Sequence, residues 1–279
     1  MAAGRGRGGA LLAPALFLLT LALWQGAATW RHVPAWLLPT PWRVAQTLWQ
    51  ARALIGANTA VTLEETLIGF GLAVLLGVAL AIAIHLWATL ARVVVPWLVV
   101  SQTVPLLAFA PLLAVWFGFG LLPKVIVVFL VAFFPVVVNL ADGLSRADPD
   151  MLRLVRTMGA SRLGLLWQVE LPSALPALAS GVRLTAAYAV AGAVVAEWTG
   201  ATGGLGNLMI QSASQFETAQ TFAAIAVVSA AGIALYLAVG AAERVLLPWA
   251  RPLPEGAQAR ASPGGPPADE STHIGGLPR

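Results

Sequence analysis

The chain has 279 residues, 59% of them hydrophobic and 10% charged, with a mean hydropathy of +0.83, a formal net charge of +4 and a pI near 10.6. Soluble domains carry about 25% charged residues, so this composition excludes an ordinary soluble protein and describes one built for lipid. With no cysteine and a single lysine, Lys124, set between Pro123 and Val125, it also excludes disulfides, thiolate metal sites, cysteine nucleophiles and a Gly-Lys-Ser/Thr phosphate loop.

A hydrocarbon core of roughly 30 Å takes about 20 apolar residues in a helix. The first such window is 8–30. Arg5 and Arg7 before it, with Gly26 and Ala28 at its end, give it the look of a secretory signal. The run is long for that, and further spans follow, so it reads as a retained helix. The second window, 66–91, has Glu64 and Glu65 at its outer boundary and His85 near its inner end. Without a second histidine nearby, His85 is not read as a metal ligand. The third, 93–123, carries Ser101, Gln102 and Thr103, and its Pro105 and Pro111 are expected to kink it. The fourth, 125–141, contains Asn139.

Between the fourth and fifth windows lies a polar island over 148–172. Asp148 and Pro149 are helix-start residues, Asp150 adds negative charge to the first turn, and Gly159 is placed to stop that helix. Ser161 can cap a second short helix running to about Val169 and bounded by Pro172. Leu163, Leu166 and Trp167 recur at three- and four-residue spacing and give it an apolar face. That face fits either a helix lying on the bilayer or one that docks a protein.

The fifth window, 174–196, includes Arg183, whose long side chain can snorkel to the interface, and Tyr188. Glu197 follows at its exit, read either as a gate or as a solvated carboxylate capping the glycine-rich turn 200–206. The sixth window is 218–242, and the tail 251–279, rich in Pro, Gly and Ala, reads as disordered. Six spans with a cytoplasmic N-terminus put twelve of the sixteen basic residues inside and leave Arg31, Arg43, Arg52 and Lys124 outside. Both termini and the island are then cytoplasmic. The same spread of arginines among flanking loops argues against nucleic-acid binding. Intramembrane polar residues face a cavity or hold helices together, so Gln102, Asn139, Tyr188 and Glu197 are the candidates to line a path. No nucleophile–base constellation occurs, and neither an enzyme nor a cofactor on this chain is expected.

Gly159, Val169, Leu171 and Pro172 resemble the Glu-Ala-Ala-x3-Gly-x9-Ile-x-Leu-Pro loop of binding-protein-dependent ABC importer permeases, with matching spacing. The glutamate position falls on Arg153, a departure that concerns one contact to the ATPase. Gln102-Thr103-Val104-Pro105, Trp116-Phe117-Gly118-Phe119-Gly120, Phe133-Phe134-Pro135 and Glu197-Trp198-Thr199-Gly200 resemble the nitrate/sulfonate/taurine branch, which also includes thiamine-pyrimidine and riboflavin importers. The likeness covers about 63–249.

The resemblance implies an all-α integral membrane protein of the inner (plasma) membrane with the type I importer permease fold. It would have an N-terminal helix and outer loop over 1–60 and a core over 61–250 with a coupling loop at 143–177. In that family Gly159, Ala160, Ser161, Leu163, Trp167, Val169, Leu171 and Pro172 would form the coupling helix. The implied partners are an ABC ATPase subunit, which binds the ATP, an extracytoplasmic solute-binding protein, and a second copy of the chain. The rival readings are an ion-coupled secondary transporter, which needs membrane-buried carboxylates, and a non-transporting scaffold.

Overall fold

The computed structural model describes residues 5–30, 34–199 and 201–250, and every regular element among them is helical. Side chains are described over 14–30, 34–199 and 201–249. The tail expected to be disordered, and Gly200 of the glycine-rich turn, lie outside these residues.

Helix α1 is Arg5–Trp30, which contains the first window and begins three residues before it. A short helix that the windows did not anticipate follows: α2, Pro41–Gln50, started by Thr40, whose Oγ1 accepts from the Arg43 N–H at 3.2 Å. It buries Val44 and leaves Trp42 and Trp49 exposed. Then come α3 (Arg52–Leu86), α4 (Ala88–Thr103), α5 (Leu106–Phe117), α6 (Leu121–Ser145) and α7 (Pro149–Thr157). Next are α8 (Arg162–Leu165), a π-turn (Leu166–Glu170), α9 (Leu171–Glu197), α10 (Leu205–Ser214) and α11 (Thr218–Leu246). Among the described residues, four helices are long and apolar enough to cross a membrane, or five if α4 and α5 together make one span.

Two expectations need correction. The third window is not one kinked helix: α4 and α5 meet at 99°. Val104, at φ −74° and ψ 123°, takes the extended backbone that a following proline imposes, and Pro105 has no N–H to continue the ladder. Pro111 breaks nothing, because α5 runs straight through it. Nor does Pro172 bound a separate loop helix, since 162–197 is one continuous helical rod. The π-turn allows this. The Leu171 N–H reaches the Leu166 carbonyl, a wider register that lets the chain enter α9 where Pro172 cannot donate.

The core forms where α3, α6 and α9 meet. Hydrophobicity cannot drive helices together in lipid, so close approach of small residues does. Gly69, Ala73, Gly77 and Ala81 make a buried stripe down α3 at four-residue spacing. Gly69 faces Val128 and Gly77 faces Val136, so α3 and α6 run parallel. From α9, Gly181 packs on Asn139 and Gly192 on Val128, so α9 runs antiparallel to both. A Cβ at Gly69 would stand 2.5 Å from the Val128 Cβ. Gly69→Ala should therefore destabilise by about 1–3 kcal/mol, read as a lower unfolding temperature in detergent.

Candidate functional site

The loop between α6 and α9 is built by local rules. The Asp148 carboxylate accepts from the Asp150 N–H at 2.8 Å and starts α7. The other end closes in a Schellman turn: the Gly159 N–H donates to the Arg156 carbonyl and the Ala160 N–H to the Val155 carbonyl. Gly159 carries the positive φ of 89° that this turn requires. Ser161 Oγ accepts from the Gly164 N–H at 3.2 Å and starts α8. Arg153, at the position where an acidic residue is expected, pairs with Asp150 at 3.0 Å on the exposed face of α7.

The expected apolar face of this loop is divided. Leu163 (57% exposed) and Trp167 (63%) point outward, as do Met158 and Leu154 of the preceding turn. Leu166 is buried in the core and Val169 is 7% exposed, while Leu171 packs against the same core. Ala160 is half-buried, and Pro172 is exposed at the start of α9. Val169 and Leu171 therefore anchor the loop, and Leu163 and Trp167 present it. Glu170 fixes the π-turn to α3, its Oε2 lying 2.9 Å from His85 Nε2, a tie between residues 85 positions apart that local sequence does not reveal.

Three of the four path candidates come together. Gln102, Asn139 and Tyr188 line one open groove of about 470 Å³ with Phe134, Pro135 and Leu184. Gln102 and Val131 also line a second groove of about 440 Å³ that includes Ser101 and Phe109. The two adjoin at Gln102 and Val131 and together make a trough, one groove spanning the α4–α5 break and the other lying between α4, α6 and α9. Asn139 Nδ2 donates to the Pro135 carbonyl at 2.8 Å, which leaves Oδ1 for another partner. Ser101 and Thr103 return their hydroxyls to carbonyls of their own helix.

Glu197 is elsewhere, 1% exposed at the far end of α9. It does cap the glycine-rich turn, but not as a solvated group: Oε2 accepts from the Gly206 N–H at 2.5 Å and Oε1 from Thr62 Oγ1 at 2.7 Å. Thr62 also accepts from the Leu205 N–H, and Asn58 Oδ1 from the Gly204 N–H, each at 2.8 Å. The orphan N–H groups at the start of α10 are thus satisfied by side chains of α3 and α9. Gly204, at φ 104°, leaves the space that the Glu197 carboxylate fills.

The reading of Glu65 as a boundary marker is overturned. It is 1% exposed, and its Oε1 lies 2.5 Å from Lys124 Nζ of α6. That parallel contact was not visible locally, though a lone lysine among fifteen arginines was a signal. Arg183 likewise does not snorkel free. Its Nε lies 2.6 Å from Glu243 Oε2 of α11 and its guanidinium 5.8 Å from the Tyr236 ring.

The chain matches the family model described as "Binding-protein-dependent transport system inner membrane component" over residues 73–252. A probable ABC transporter permease protein of Haemophilus influenzae is 38% identical over 230 residues, covering 82% of this chain and 94% of that protein. The formylaminopyrimidine transport permease of Halalkalibacterium halodurans is 37% identical over 240 residues, 85% and 96% of the respective chains. The riboflavin transport system permease of Chloroflexus aurantiacus is 36% identical over 242 residues, 86% and 90%. The crystal structure of an amino acid ABC transporter superposes with a TM-score of 0.57 over 72% of this chain and 96% of that one, at 17% identity, a likeness of fold.

Proposed function

We propose a mechanism for a chain that belongs to the family of binding-protein-dependent transport system inner membrane components and is the permease subunit of an ATP-driven ABC importer. The protein is a multi-pass component of the inner membrane. In our reading α1 and the bent α4–α5 pair add two spans to the four that composition supports, and both termini face the cytoplasm. Two copies pair, and an extracytoplasmic binding protein delivers the solute. ATP is bound and hydrolysed on a separate ATPase subunit.

Leu163 and Trp167 carry the coupling. They are exposed apolar side chains held on a doubly capped loop, and that loop is continuous with the core helix α9. A subunit gripping them pulls on a rigid rod. Closure of the ATPase pair would then favour one of two arrangements of the membrane domain through its differential contacts with each. The trough at Gln102, Asn139 and Tyr188 is the path. The solute is a small organic or anionic molecule, either of the thiamine-precursor pyrimidine and riboflavin kind or of the sulfonate, nitrate and taurine kind. Glu65 and Glu197 do not favour the ion-coupled rival. One is paired with Lys124 and the other caps α10, so neither faces the trough.

The test is uptake into proteoliposomes holding the chain, its ATPase and its binding protein. Uptake should require ATP and both partners. Uptake driven by an ion gradient with no ATPase present would sink the proposal.

A further inference from the structure

We infer that His85 and Glu170 are positioning residues for transport, and that their contact hands the movement of the coupling loop to α4, the helix that carries Gln102. The inference rests on the permease reading above and adds to α9 a second route from the ATPase to the trough.

The contact stands where two junctions meet. Glu170 is the last residue of the π-turn that joins the loop to α9, and such widened turns concentrate at functional sites. His85 is the next-to-last residue of α3. Glu170 Oε2 and His85 Nε2 are 2.9 Å apart, with the side chains only 16% and 20% exposed, so water competes little for the bond. Among the described residues it is the one side-chain hydrogen bond or ion pair between the loop and α3.

A single residue, Trp87, separates α3 from α4, in extended backbone at φ −121° and ψ 96°. Helical bonds close on both sides of it: the Trp87 N–H donates to the Ala83 carbonyl, and the Ala91 N–H donates to the Trp87 carbonyl. The corner is therefore a hinge one residue wide between two stiff rods, and His85 lies just before it. Arg162 of α8 lines an open groove of about 690 Å³ with Leu86, Trp87 and Ala88, so the loop borders the corner at a second point. Gln102 lies fifteen positions beyond Trp87, which a rise of about 1.5 Å per residue makes about 22 Å. A tilt of roughly 5° at the hinge carries that end by about 2 Å. Because α4 ends at the break, the displacement reaches the trough without bending a continuous span.

Coupling is demonstrated when the two ends respond together, and a label on α4 reads it. The chain has no cysteine, so Val99→Cys gives one attachment point for a bimane fluorophore, at a side chain 55% exposed and outside both grooves. The labelled chain is assembled with its ATPase in lipid nanodiscs, and magnesium with AMP-PNP closes the ATPase pair. The emission should change on closure. His85→Leu and Glu170→Leu should each reduce that change roughly three- to tenfold, with the ATPase still bound. His85→Gln, whose amide N–H can still donate to Glu170, should respond as the parent does. A full change in both leucine variants overturns the inference. So does a loss in His85→Gln as deep as in His85→Leu, which would make packing of the ring, not the bond, the cause. Leucine variants that release the ATPase would make the pair a clamp on the loop's shape and overturn it too. A silent label in the parent complex also overturns it, while the permease reading stands as long as the ATPase is held and uptake needs ATP. A chain that never assembles with an ATPase defeats that reading instead.

Discussion

Lys124→Met should destabilise the folded protein by about 3–5 kcal/mol, because it leaves the Glu65 carboxylate buried without its counter-charge. Lys124 Nζ lies 2.5 Å from Glu65 Oε1, Oε2 has no hydrogen-bond donor among the described residues, and the neighbouring Glu197 carboxylate adds a second negative charge. Glu65 is also one of the largest fully buried side chains, so water cannot replace the lost ammonium. The damage should spread locally. Glu65 lies three residues from Thr62, which supports both Glu197 and the start of α10. The discriminating measurement is the unfolding midpoint in detergent of Lys124→Met, Glu65→Leu and the pair together. Each single variant should fall well below the parent, and the double variant should recover part of the loss, since it removes the buried pair's desolvation cost while Glu197 still loses the nearby ammonium. Additive losses in the double variant would show that packing, not charge, dominates there.

What could be read in the sequence was what local chemistry decides. Asp148, Gly159 and Ser161 sit where a helix start, a left-handed stop and a second start require them, and each does that work. Apolar windows found the long helices, because a span's composition is a property of the span alone. The errors came from contacts between segments far apart. Glu65 and Lys124 are 59 residues apart and meet only because α3 and α6 run parallel on a small-residue stripe. Glu197 looked solvated because it follows an apolar run, and only the fold brings Thr62 and Gly206 against it. Pro172 looked like a boundary because proline usually is one. A wider helical register just before it made it a junction.

The α4–α5 break connects these points to transport. A helix interrupted at membrane depth is tolerated where the freed backbone lines a cavity or is buried in protein. Here the break falls two residues after Gln102, which with Val131 is shared by both grooves. Two stiff halves meeting at one extended dipeptide can change their angle without unfolding either half. In the function proposed above, the path and its hinge would fall in the same short segment, and α9 would join the proposed coupling loop to the helices that pack beside it.

That arrangement makes the loop the second place where one side chain should matter greatly. Trp167→Ala and Leu163→Ala should each weaken the hold on the ATPase by about 2–4 kcal/mol, as apolar anchors at the centre of an interface do, which is roughly thirty- to a thousandfold in affinity. ATP-driven uptake should fall in step, while the unfolding temperature of the isolated chain stays near the parent's, because both side chains are exposed. Leu166→Ala is the contrasting variant. It removes a side chain 1% exposed in the core and should cost about 2–5 kcal/mol of stability. Gly159→Val should act by a third route, straining the turn at φ 89° by roughly 1–3 kcal/mol and moving Leu163 and Trp167 together. The readouts are ATPase recovered per permease after purification, uptake in proteoliposomes, and the unfolding temperature of each variant. Full ATPase recovery and normal uptake in the Trp167→Ala, Leu163→Ala double variant would mean that the partner grips another surface.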